Sequence, residues 1–230
     1  MNILSLNTST KQYSLALLQD ETGLGEYLLS SGSSHFRDLM PCIDDLLEKT
    51  SLTPGQLEGV TVAIGPGSFT GIRVGLAVAK GLSQGLGIPL IGVPTLAALA
   101  SQIPYAREDI CSVVTSRKGE LFAALFRRDP DNQLIRIKQD TSLKVADLPI
   151  LIKRKTIIIG NDFTAQSPII QQYVGEKGLL APQNLWNLRA SSIGALGLRR
   201  LLEGSSDSVS ELVPIYLRGA DIRVGKNPLG

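Results

Sequence analysis

The residues with the clearest chemical potential lie in "AIGPGSFTGIR", Ala63–Arg73, where Gly65, Gly67 and Gly71 fall within seven positions between an apolar run and a helical pattern. A strand-to-helix turn opened by glycines leaves unpaired backbone N–H groups at the positive end of a helix, which is the chemistry of anion binding. Ser68 and Thr70 add hydroxyls and Arg73 a cation, while Thr8 and Ser9 stand in an earlier polar turn. Two nucleotide fingerprints are excluded. A Walker loop closes on Gly-Lys-Ser/Thr, whereas this one closes as Phe69-Thr70-Gly71-Ile72 with no lysine. A dinucleotide loop is GxGxxG, but these glycines are spaced GxGxxxG, and Leu90–Leu96 offers no acid for a ribose. Two readings remain: a nucleotide or anion site of Thr8, Ser9, Gly65, Gly67, Ser68, Thr70, Gly71 and Arg73, or a tight turn whose helix is capped by Ser68 or Thr70.

Other catalytic constellations are missing. His35 is the only histidine and has Leu39 at i+4, so no helical pair of metal ligands forms. Ser9 or Ser68 as a nucleophile has no histidine base in view. Cys42 and Cys111, the two cysteines, have no close Cys or His neighbours, which fits a reducing compartment and no zinc. We assign no catalytic residue and no metal ligand. The N-terminal "MNILSLNTST" lacks a leader pattern and no apolar run reaches spanning length, so an unprocessed cytoplasmic protein is expected, without a membrane partner.

The chain has 230 residues, 43% apolar, with a net charge of +2. That supports a sizeable core and excludes holding nucleic acid by overall field. Arg117-Lys118, Arg127-Arg128, Lys153-Arg154-Lys155 and Arg199-Arg200 are basic without interleaved aromatics, so their contribution to RNA is a share in a composite surface. Asp44, Asp45 and Glu48 read as a solvated helix face.

The elements that must position the loop follow from periodicity. Asn2–Leu6 and Tyr13–Leu18 form a hairpin around "NTSTKQ", a third strand is expected near Glu26–Leu29, and apolar residues from Phe36 to Leu47 recur at helical spacing. Ser33 or Ser34 would cap that helix and Pro41 would kink it. A strand at Val60–Ile64 enters the glycine loop, a helix leaves it over Thr70–Leu86, and another strand follows at Ile88–Val93. The order then repeats: "TSTKQYSLALL" overlays "TSRKGELFAAL" (Thr115–Leu125), and "VAIGPGSFT" overlays "IIIGNDFTA" (Ile157–Ala165). Two related units facing each other are expected. A last helix over Ala190–Leu202 and a docked segment around Pro214–Arg218 would return to the first unit.

The Thr70–Leu86 helix is apolar on most sides, with Arg73, Lys80 and Gln84 on one narrow stripe. Gly71, Gly75 and Ala79 stand four apart, as do Gly81 and Gly85, a spacing that admits close backbone approach. It is either an interior helix or a helix whose exposed face packs on another subunit.

"ILSLNTSTKQYSLALL", "GPGSFTGIRVGLAVAKGLSQGLGIPLIGVPTL" and "PIYLR" together resemble the TsaB (YeaZ) family over nearly the whole chain. The resemblance implies an α/β chain with the duplicated actin/hexokinase-like (ASKHA) fold: two mixed-sheet lobes with flanking helices. The first would be 1–104, joined by a segment about 205–218; the second would be 105–204, with 219–230 as tail. It implies a non-catalytic subunit that pairs with the catalytic paralogue TsaD and the ATPase TsaE to place threonylcarbamoyl on tRNA adenosine, homodimerises when alone, and meets tRNA through the complex. TsaD carries metal-binding histidines on the helix matching Ser34–Lys49, and that pair is absent here. The family's pairing surface maps onto His35, Leu39, Met40, Ile43, Gly71, Val74, Gly75, Val78 and Leu82. By itself the chain would carry no cofactor, with ATP or ADP at a shared interface as the open case. Two departures stand out: Asn7 replaces the family's usual aspartate, and Thr115–Glu120 replaces a "DARR.E"-like hairpin. A stand-alone kinase of the same superfamily is the rival, and Asn7 speaks against it, because an amide cannot hold a metal-bound phosphate as an acid would.

Overall fold

The computed structural model describes residues 1–30 and 37–217. His35, the proposed caps Ser33 and Ser34, Arg218 and the tail 219–230 lie outside the described residues. Short apolar runs build two five-stranded mixed sheets. The first contains β1 (Asn2–Asn7), β2 (Gln12–Gln19), β3 (Thr22–Ser30), β4 (Gly59–Ala63) and β5 (Leu90–Val93), in the order β3-β2-β1-β4-β5. The second contains β6 (Asp109–Arg117), β7 (Glu120–Arg128), β8 (Leu134–Lys144), β9 (Thr156–Ile159) and β10 (Gly178–Leu180), in the order β10-β9-β6-β7-β8. Read from the opposite edge, the second order is the first repeated strand for strand. The duplicated hairpin and loop of the sequence are thus parts of one duplicated topology.

Helices follow the same repeat. The first half supplies α1 (Leu39–Lys49), α2 (Phe69–Leu86) and α3 (Thr95–Ser101); the second supplies α4 (Leu148–Leu151), α5 (Phe163–Val174) and α6 (Ala190–Leu202). Leu4 and Leu6 of β1 share a buried cluster with Leu39 and Ile43 of α1 and Leu76 of α2. Ser5, between them, points to the other face, where Gly194 lets α6 settle against it. The period of two therefore sends alternate side chains to helices on opposite sides of the sheet. The last helix of each half crosses over: α3 packs on β6, β7 and β8, while α6 packs on β1, β2, β4 and β5.

Several boundaries differ from the sequence expectation for identifiable reasons. Among the described residues α1 begins at Leu39, so Pro41 falls in its first turn; the expected start at Phe36 lies outside the described residues. First-turn N–H groups have no intrahelical acceptor, hence the proline deletes no bond and causes no break there. β3 starts earlier, at Thr22, and runs through Gly23 and Gly25 beside a bulge at Leu17/Leu18. β8 has no counterpart in the sequence reading, because register shifts near Ala123 and Leu125 disrupt the pairing that would have kept its alternation clean.

Beyond α6 the chain returns along the first sheet. The Asp207 N–H donates to the Leu90 carbonyl at 2.8 Å, and the Ile215 N–H donates to the Ile64 carbonyl at 2.8 Å. This strap ends beside the glycine loop.

Candidate functional site

A cleft of about 650 Å³ opens between the two sheets. The first half contributes Ser9, Lys11, Gly67 and Ser68; the second contributes Thr115, Arg117, Asn161 and Asp162; the strap contributes Ile215 and Tyr216. It lies at the carboxyl ends of the parallel strands β4 and β9, where open α/β sheets present their loops.

On the first-half wall, the hairpin turn and the glycine loop are bound into one buried polar unit. The Ser9 N–H and hydroxyl both donate to Asn7 Oδ1, at 3.0 and 2.8 Å. Asn7 Nδ2 donates to the Leu188 carbonyl at 3.2 Å and to Thr10 Oγ1 at 3.0 Å. A backbone N–H can only donate and a carbonyl only accept, so the Asn7 amide has one orientation and both of its ends are required. This accounts for asparagine at position 7: a carboxylate has nothing to donate to Leu188, and Asn7 is fully buried. Thr95 Oγ1 donates to Ser9 Oγ at 3.0 Å and accepts the Gly65 N–H at 3.2 Å, joining α3 to the unit.

The glycines serve a close approach. A methyl group at Gly67 would overlap the Ser9 carbonyl oxygen, at Gly71 the Thr8 carbonyl oxygen, and at Gly75 the Thr8 hydroxyl. Gly65 has φ of 109°, a left-handed value that favours glycine. Two donors at the start of α2 are engaged by the chain itself: the Ser68 N–H bonds the Ser9 carbonyl at 2.7 Å and the Gly71 N–H bonds Ser68 Oγ at 3.2 Å. Ser68 is therefore the cap, and Thr70 is exposed on the first turn.

The second-half wall achieves the same tie by side chains. Asn161 Oδ1 accepts the Thr115 N–H at 3.0 Å; Gln166 Oε1 accepts the N–H groups of Asn161 and Asp162 at 3.1 and 3.0 Å. Gln166 Nε2 donates to Thr115 Oγ1 and Asn161 Oδ1, each at 3.0 Å. Asp162 caps α5 by accepting the Ala165 N–H at 3.1 Å, as Ser68 does for α2. The sequence alone aligned this loop and the Thr115 hairpin but assigned no role to Asn161, Asp162 or Gln166; the signal available was an Asp in cap position followed four residues later by a glutamine.

The remaining expected residues are placed as follows. Arg73 packs on two aromatic residues that line the cleft: its guanidinium carbon lies 3.8 Å from the Phe69 ring centre and its Nε donates to Tyr216 Oη at 2.8 Å. Of the expected partner surface, Leu39 and Ile43 are core residues, each 1% exposed. Gly71 and Gly75 are covered by the chain's own Thr8–Ser9 turn, so their spacing has an internal cause that periodicity could not reveal. Met40 is exposed, and Val74, Val78 and Leu82 are half-buried. On the same helix Ala77, Gly81 and Gly85 are exposed, and a methyl group at Gly81 or Gly85 would meet nothing within 4 Å. Among the described residues no helix is long and apolar enough to cross a membrane.

Two sheets of identical strand order, crossed-over terminal helices and a loop-lined cleft between them define a duplicated α/β protein of the actin–hexokinase class. The family model described as TsaD, tRNA N6-adenosine threonylcarbamoyltransferase, matches residues 30–185. The tRNA threonylcarbamoyladenosine biosynthesis protein TsaB of Bacillus subtilis is 30% identical over 96% of each chain, and that of Escherichia coli 26% identical over 95% of each. The solved YeaZ of Pseudomonas aeruginosa superposes with a TM-score of 0.77 at 21% identity, covering 94% of this chain and 99% of that one. The chain belongs to the TsaB family.

Proposed function

We propose that this chain acts in tRNA threonylcarbamoyladenosine biosynthesis as a non-catalytic subunit, docking on a TsaD-type catalytic protein and working with a TsaE-type ATPase in the cytoplasm. Alone it pairs with a second copy, and it meets tRNA through the assembly. Family membership supports the pathway. The observation that carries the docking role is the outer face of α2: half-buried Val74, Val78 and Leu82 beside exposed Ala77, Gly81 and Gly85, open to close approach. The non-catalytic reading is supported by the hairpin turn, whose Asn7, Ser9 and Thr95 side chains satisfy one another. A stand-alone kinase would instead need an acid at position 7, where this fold calls for an amide donor.

Within this reading ATP or ADP sits in the cleft at the shared surface, with Lys11 and Arg117 as the cations near Ser9 and Ser68. Titration calorimetry with ATP, on the chain alone and with its partner, tests that part; absence of heat in both removes it. The docking role is tested by co-purification with a TsaD-type partner. Gly81→Arg and Gly85→Arg are expected to abolish pairing while leaving the circular-dichroism melt unchanged. Undiminished pairing in both variants sinks the assignment of this face.

A further inference from the structure

At the far end of the second sheet, away from the cleft, lies a cation cluster that the proposed function does not use. Asp109 opens β6, and the nine residues of that strand separate it from Arg117 at the cleft by roughly 25 Å. Register places Asp109 beside Thr156 of β9, and pairs the next residue, Ile110, with Phe126 of β7. Arg127 and Arg154 are thereby brought to one carboxylate. Arg127 Nε and Nη2 donate to its two oxygens at 2.8 and 3.3 Å. Arg154 Nε and Nη2 do the same at 2.8 and 2.6 Å.

One guanidinium would neutralise Asp109; the second leaves a positive charge in surplus. The Asp109 side chain is 5% exposed, whereas those of Arg127 and Arg154 are 47% and 55% exposed. Each arginine uses Nε and Nη2, and Nη1 of each has no partner among the described residues. A guanidinium already held in place loses little rotamer freedom when it engages a further anion, and its fork suits phosphate. Lys153 and Lys155, on either side of Arg154, are exposed and make no ion pair among the described residues. Four cations about one carboxylate leave a local surplus of positive charge.

We propose that Arg127, Lys153, Arg154 and Lys155, organised by Asp109, form a surface that takes the phosphodiester backbone of RNA. This rests on the reading that tRNA is the substrate of the assembly. The cations stand on exposed strand ends and a connecting loop, an arrangement suited to successive phosphates along a polyanion. Contacts of this kind position RNA without reading its sequence.

The test uses the chain assembled with its TsaD-type partner and a fluorescent tRNA transcript, titrated by anisotropy from about 50 to 200 mM salt. The variant is Lys153→Gln/Arg154→Gln/Lys155→Gln, which keeps Arg127 on Asp109. Affinity is expected to fall roughly tenfold at the lowest salt, and the slope of log K against log salt to shrink by about 2. Unchanged affinity and slope, with wild type binding normally, overturn this surface and leave the proposed function standing. A wild-type assembly that binds no tRNA overturns both. Loss of the protein partner on gel filtration, with RNA affinity per assembly unchanged, also overturns the RNA surface and marks an acidic protein as its occupant.

Discussion

The two walls of the cleft share one topology and are tied together in different ways. In the first half, α2 lies on the hairpin turn through backbone: Gly67, Gly71 and Gly75 admit the Thr8 and Ser9 carbonyl and hydroxyl oxygens, and the Ser68 N–H bonds the Ser9 carbonyl. In the second half, Asn161 and Gln166 bridge the loop to Thr115 with their amides. Backbone contact brings the helix closer but leaves no room for a Cβ. Amide bridges keep the elements further apart and depend on donor and acceptor identity. The first wall is therefore closed to a Cβ by backbone oxygens at Gly67 and Gly71, whereas at Gly160 on the second wall a Cβ would meet the Gln166 amide oxygen and the Trp186 ring.

The sharpest way to break this contrast is Gly71→Ala. Its methyl group meets a backbone oxygen that cannot rotate away, and the expected loss is about 4 kcal/mol by urea unfolding. A loss under about 1 kcal/mol would show that α2 can lift off the turn. Asn7→Asp is expected to cost about 3 kcal/mol at neutral pH, because a buried carboxylate would face the Leu188 carbonyl without a donor. Its folded pKa should lie above the unfolded one, so the penalty is relieved below the ordinary carboxylate range and grows as pH rises through it. A pH-independent penalty would contradict the donor argument.

On the other wall, Gln166→Leu keeps volume and strands the Asn161 and Asp162 N–H groups; about 2 kcal/mol is expected, with little change for Gln166→Glu near pH 4. The smallest effect is acid sensitivity shared by the two halves. Burial by itself would raise the carboxyls of Asp109 and Asp207. Hydrogen bonds outweigh it and hold both below their usual range, from Arg154 and Arg127 in one case and from Arg200 and the Gly92 N–H in the other. A depressed folded pKa contributes stability that is present above the unfolded value and lost as pH falls through the folded one. Urea midpoints measured from pH 7 to 3 should decline less steeply in Asp109→Asn and Asp207→Asn than in wild type.

Much of this architecture is legible in one dimension. The apolar runs of Asn2–Leu6 and Tyr13–Leu18, the helical spacing of Ile43, Leu46 and Leu47, and the overlay of Thr8–Leu18 on Thr115–Leu125 all correspond to elements of the fold. β8 escaped because its bulged pairing blurs the period that marks a strand. The cleft was half legible: its glycine wall announces itself by composition, whereas Asn161 and Gln166 look like ordinary loop and helix polar residues until Thr115 is brought against them.

The sequence by itself determined the repeated order of elements and the presence of a helix with closely approachable faces, because periodicity and small-residue spacing are properties of single segments; the class of fold and the family came from the resemblance of whole segments to TsaB. Only the tertiary structure decided what covers each face: the chain's own turn at Gly71 and Gly75, open space at Gly81 and Gly85. It also set Arg73 against Phe69 and Tyr216, and two arginines on one aspartate. The physical reason is that close packing and charge pairing depend on distance in space, and residues separated by tens of positions acquire that distance only when the sheets close.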